Sequence, residues 1–150
     1  MFKRQKAKKQ QSILGLIPLF QVIEEQGKDP EELLRRRGLS LAKMSGAAVI
    51  DQDLELDIVS EAIEMLDDPI LGIKVGDQVT FTSYGTYAML LMSAPTFLET
   101  LKVGAQFQSL SLLFSHMTLH LEQDFIELRY TLPEASPKLK QFIADRDLMG

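Results

Sequence analysis

Cysteine and tryptophan are both absent from this chain of 150 residues, and histidine occurs only twice. Without cysteine there can be no disulfide, no thiolate metal ligand and no cysteine nucleophile. The absence fits the reducing cytoplasm, where we place the protein. No apolar run approaches the roughly 20 residues that a membrane helix needs, so no membrane partner is expected. The serines lack a Gly-x-Ser-x-Gly elbow, and Gly72-x-x-x-Gly76 lacks the Gly-Lys-Ser/Thr ending of a phosphate loop. The acids Asp51, Asp53, Glu55 and Asp57 lack the central glycine and closing glutamate of a calcium loop, and read as a solvated face and helix start. No reactive constellation remains. The chain is not expected to be an enzyme, nor to carry a cofactor.

What is present is an ordinary globular balance: 45% hydrophobic, 25% charged, net charge −5. One domain of this length buries roughly 70% of its unfolded surface. The charge is unevenly placed. Lys3, Arg4, Lys6, Lys8 and Lys9 supply five of the 16 basic residues, and the remainder carries 11 basic and 21 acidic residues. So acidic a body repels a phosphate backbone. Residues 1–12 therefore read as a basic, solvated, flexible tail. They are not a secretion signal: the apolar run Ile13–Phe20 is short, holds Pro18 and lacks a small-x-small cleavage site.

Beyond the tail the chain is punctuated by helix signals. Leu16, Leu19, Phe20 and Ile23 recur at helical spacing up to Gly27. Asp29-Pro30 pairs an N-cap acceptor with proline at the first helical position, and Arg35–Arg37 followed by Gly38 closes that helix. Residues 40–50 read as loop or short helix, and Leu56, Val59, Ile63 and Leu66 mark a helix over 54–66. Asp68-Pro69 starts a short helix that Gly76 is expected to end in the left-handed region, and 77–83 read as loop or short strand. Gly85–Met92 is almost wholly apolar, which predicts a helix packed on most sides. After Pro95, Thr96 and Glu99 form a capping box for the next helix.

Near Ser115 the period changes from helical to two. Met117, Leu119 and Leu121 alternate with polar residues, as do Ile126, Leu128, Tyr130 and Leu132. This predicts a hairpin over about 116–132 turning at Gln123-Asp124, with Leu121 facing Ile126 and His120 facing Glu127. His116 and His120 share a strand face with Thr118 and Glu122. Two imidazoles and a carboxylate suit zinc or iron, but no His-Glu-x-x-His motif supports a metal site. The pair reads as surface positions, with His120 paired to Glu127. Pro137–Leu148 is a closing amphipathic helix. The fold class is α+β: an N-terminal helical portion packed on a small antiparallel sheet.

Joined in order, these pieces resemble a known family. Asp68-Pro69-x-Leu71-Gly72 with Gly76, then Gly85 and Ser93-x-Pro95-Thr96-x-x-Glu99, follow the effector-sensing, arabinose-binding-like domain of AraC-type transcriptional regulators. Ile13–Phe20, Asp29–Leu34 and Arg37-Gly38-Leu39 match that domain's opening. The resemblance implies the sensing and dimerising part of a DNA-binding regulator, over residues 13–150, with a small-molecule effector and a homodimer. DNA would be reached only through a carboxy-terminal double helix-turn-helix domain, which these residues do not supply. The nearest imitation, Glu31–Val49, offers one cation and no Asn, Gln or Arg for base edges in its second segment. The chain thus reads as a truncated sensor. The alternative is a stand-alone small-molecule-binding or interaction module. For the effector, Phe81, Tyr84, Tyr87, Phe107 and Phe114, with Met89 and Met92, are the candidate cavity lining.

Overall fold

The computed structural model describes residues 10–43 and 49–150. The basic residues of the tail and residues 44–48 of the helix-turn-helix imitation lie outside the described residues. The chain divides into two compact units with the boundary between Asp67 and Asp68. Among the described residues the fold is α+β, with seven α-helices and two two-stranded antiparallel sheets.

In the first unit, strand β1 (Gln10–Ser12) pairs antiparallel with β2 (Val49–Asp51). Neither strand is legible as alternation, because each has only three residues. Helices α1 (Ile17–Glu25), α2 (Glu31–Arg35) and α3 (Gln52–Leu66) supply the core through Leu19, Ile23, Leu33, Leu34 and Ile58, joined by Leu16 from the 3-10 turn Ile13–Leu16. Punctuation explains the lengths. Asp29 Oδ1 accepts from Glu31 N at 2.9 Å. At the other end Gly38 takes φ +68°, Gly38 N donates to Arg35 O and Leu39 N to Leu34 O. That paired pattern closes a helix through a left-handed residue, which glycine adopts without a Cβ penalty. Arg36 and Arg37 do more than cap: both bond the Glu61 carboxylate on α3, at 2.6 and 2.8 Å. The expected solvated face of acids needs correction at Glu55, which is 1% exposed on the inner side of α3. Helical phase, not charge, decides its place: Glu55 lies one turn from Ile58 and Val59, both buried.

In the second unit, Asp68 Oδ1 accepts from Ile70 N, so Asp68-Pro69 begins a turn that leads into α4 (Leu71–Asp77). Gly76 does not end this helix in the left-handed region; it lies inside it. Its task is close packing. A Cβ on Gly72 would stand 2.6 Å from Phe142 O, and one on Gly76 would stand 2.7 Å from Met149 Cβ and 2.9 Å from Arg146 O. Two glycines four apart form one bare stripe on a helix. The stripe lets α4 lie directly on α7 (Pro137–Met149), whose start is capped by Ser136.

A short 3-10 turn, Phe81–Tyr84, occupies part of the expected loop. Gly85, at φ +51°, then leads into α5 (Thr86–Ser93). This helix is not packed on most sides: Tyr87 and Ala88 are buried, while Met89 and Met92 are 72% and 74% exposed. It stops at Ser93 because Ala94 precedes Pro95 and is driven to extended backbone, ψ 133°. Thr96 caps α6 (Phe97–Gln106) by accepting from Glu99 N at 3.2 Å. The reciprocal half of the box is replaced: the Glu99 carboxylate meets Lys102 instead. Strands β3 (His116–Leu121) and β4 (Ile126–Thr131) form the hairpin in the expected register, Leu121 opposite Ile126 and His120 opposite Glu127. The Glu127 carboxylate, however, bonds Arg129 at 2.7 Å rather than His120. The outer edge of β3 is tied by a side chain. Gln108 accepts from Met117 N at 2.8 Å and donates to Met117 O at 2.7 Å, as a neighbouring strand would.

Candidate functional site

Within the second unit, α5, α6, the hairpin and the end of α7 enclose an open cavity of about 250 Å³. Its walls are mostly apolar: Phe81, Leu91, Leu101, Leu113, Met117 and Leu128. The polar residues of the lining are Tyr84, Tyr87, Tyr130, Thr100 and Asp147. An apolar concavity with few polar groups is the usual form of a small-molecule site.

Each polar group is placed by an identifiable local cause. Tyr87 is on the one buried side of α5, and its hydroxyl donates to Gly104 O at 2.9 Å. Glycine leaves room there: a Cβ on Gly104 would stand 3.2 Å from that hydroxyl and 3.4 Å from Leu91 Cδ2, a tight fit. Tyr84, three residues earlier, sets its ring 6.0 Å from that of Tyr87 at 49°. Tyr130 comes from the apolar face of β4, opposite Met117. Thr100 donates back into its own helix, to Thr96 O at 3.1 Å. The hydroxyls of Tyr84 and Tyr130 make no hydrogen bond among the described residues. Burial pushes all three tyrosines above the ordinary 10.0. At Tyr84 the Arg146 charge opposes that rise and Asp147 adds to it. At Tyr130 Asp147 also adds. All three are therefore neutral hydrogen-bonding groups at physiological pH.

A buried ion pair, Arg146–Asp147, lies next to the cavity lining. Leu139, Phe142 and Ile143 set the inner face of α7, and the same spacing carries Arg146 and Asp147 inward. Arg146 is 2% exposed. Its Nη1 donates to Asp147 Oδ1 at 2.7 Å and to Leu112 O at 2.6 Å, and the guanidinium lies 4.6 Å from the centre of the Phe114 ring. Asp147 Oδ2 accepts from Phe114 N, Ser115 N and Ser115 Oγ at 3.1, 2.8 and 2.6 Å. The carboxylate is thus saturated; it holds Phe114 and Ser115 while Arg146 holds the Leu112 carbonyl, so the pair together fixes the 112–115 segment that leads into β3. Arg146 Nη2 is buried without a partner among the described residues.

Of the residues expected to line a cavity, Phe81, Tyr84 and Tyr87 do so. Phe107 and Phe114 lie outside the lining: Phe107 ends α6 partly exposed, and Phe114 is core beneath Arg146. Met89 and Met92 point to the surface. Tyr130 and Asp147 were missed, although both left a signal. Tyr130 alternates with Leu128 on the apolar face of its strand, and Asp147 falls on the inner stripe of its helix. Thr100, Leu101 and Gly104 left none, because one face of a short amphipathic helix is not assigned a neighbour by periodicity. The polar hairpin face carries His116 and His120, but among the described residues no three metal-binding side chains converge. No described helix is long and apolar enough to cross a membrane.

Among curated proteins, none matches the chain at a significant level. A family model does match, described as the arabinose-binding domain of AraC transcription regulators, N-terminal, over residues 27–150. The match runs through α2, the glycine stripe of α4, the cavity helices and the hairpin. Its family is one of regulatory sensors and not of enzymes. The chain belongs to the family of N-terminal, arabinose-binding sensor domains of AraC-type transcription regulators.

Proposed function

We propose that this domain senses a small-molecule effector in the Tyr84–Tyr87–Tyr130 cavity and passes the signal to a helix-turn-helix DNA-binding domain of the same regulator. The observation that carries the reading is the coincidence of the cavity with the family's sensing domain. Control of transcription requires the effector to bind one state of the regulator better than another, with a coupling of about 1–3 kcal/mol in typical cases. The cavity offers a means. Asp147, a lining residue, also accepts from Phe114 N and Ser115 N, so a ligand pressing on that end acts on the segment leading into β3.

The reading includes a homodimer in the cytoplasm. Met89, Met92 and Phe97 support it, being large apolar side chains 72–74% exposed on α5 and at the start of α6. Such surface is used for partner contact in soluble proteins. The same observation favours the alternative of an interaction module without a DNA role. A transcription reporter driven by the regulator that contains this domain separates the two. Effector-dependent output that Leu101→Trp, a cavity plug, removes supports the sensor. Ligand binding with no change in output supports the module.

A further inference from the structure

Two aromatic walls of the cavity, Phe81 and Tyr84, belong to one short segment, the turn over 80–84 and the Gly85 that follows it. The helices on either side are held. The glycine stripe lays α4 on α7, and Tyr87 ties α5 to α6 by donating to Gly104 O. The segment between them has no such tie. Thr80 N donates to Ser83 Oγ, Ser83 N to Thr80 O and Gly85 N to Thr82 O. The Thr80 hydroxyl is bonded to those of Thr82 and Ser83. All these bonds lie inside the segment. Among the described residues no hydrogen bond joins the turn to α6, the hairpin or α7. The turn is thus firm in itself and loosely moored. Phe81 is 50% exposed although it lines the cavity, so it covers the opening incompletely.

Gly85 supplies a pivot. Its φ of +51° and ψ of −123° belong to backbone that glycine adopts without strain. Nothing stands within 4 Å of a Cβ built there, so conformation and not packing asks for this glycine.

We propose that residues 80–85 are a lid: turning at Gly85, they carry Phe81 and Tyr84 off the cavity to admit a molecule and return them over it. Closing segments of this kind move in microseconds to milliseconds and shut bound molecules away from water. This rests on the reading of the cavity as the effector site.

The chain has no cysteine, so one introduced thiol reports on access to its own position. Met117→Cys places it in the cavity wall, at a residue only 7% exposed. Its modification by dithiodipyridine is timed in the whole chain, with and without Gly85→Ala. Alanine is strained at the observed backbone angles, and a free lid escapes that strain by swinging away. Modification is expected to be about tenfold faster with Gly85→Ala, at a rate nearly independent of low urea, the mark of local opening. Leu113→Cys, in the same wall, takes the place of Met117→Cys if that variant melts early. An unchanged or slower rate overturns the lid and leaves the cavity reading intact. A faster rate that climbs steeply with urea also overturns it, because the thiol is then reached by global unfolding. The cavity reading fails separately, if effector-dependent output survives Leu101→Trp.

Discussion

The tyrosine hydroxyls of the cavity and the buried Arg146–Asp147 pair do different work. The hydroxyls of Tyr84 and Tyr130 are uncommitted and shifted upward by burial. A raised folded-state value means that the neutral phenol is favoured by folding. Its contribution to stability is fully present below 10.0 and is lost as pH rises through the raised folded value. Ultraviolet titration of tyrosinate should therefore place native ionisation above that of the urea-unfolded chain; coincident curves would contradict the buried placement. Asp147 is committed on both oxygens. Asp147→Asn leaves the buried Arg146 charge without its counter-ion and should cost about 3–5 kcal/mol in urea melts. A loss below about 1 kcal/mol would show that the pair does not hold the 112–115 segment.

At the level of elements, the glycine stripe of α4 is the most exacting contact in the second unit. Gly76→Ala drives a methyl against the α7 backbone and should destabilise by about 1–3 kcal/mol, read as a lowered denaturation midpoint. Unaltered stability would mean that the helices separate freely. Gly38→Ala tests a different cause, left-handed backbone with open space around it, and does not clash. The two kinds of glycine look alike in sequence. Gly38 was legible because a basic last turn and a following leucine frame it. Gly76 was misread, because a packing glycine depends on a helix some 70 residues away. The hairpin register was legible because period-two alternation fixes which residues face each other once the turn is located. The partial exposure of α5 was not. An apolar run states how much surface prefers to be covered, and not which part this unit covers. The candidate site was legible by half for the same reason: aromatic residues mark a possible wall, but Phe114 became core and Tyr130 became lining through tertiary packing.

For the whole molecule, two claims remain to be joined: association through the exposed face of α5 and α6, and response to a ligand. Sedimentation should give a dimer for the wild-type chain and a monomer for Met89→Lys with Met92→Lys, at unchanged melting of the monomer. A wild-type monomer would remove that face from the account. The central claim is that the effector sits among the tyrosines. Its most direct test is tyrosine emission during titration with the first compound found to raise the melting temperature. The account predicts a saturable change whose midpoint agrees with the thermal stabilisation and which Leu101→Trp abolishes. Stabilisation with no change in tyrosine emission would contradict it.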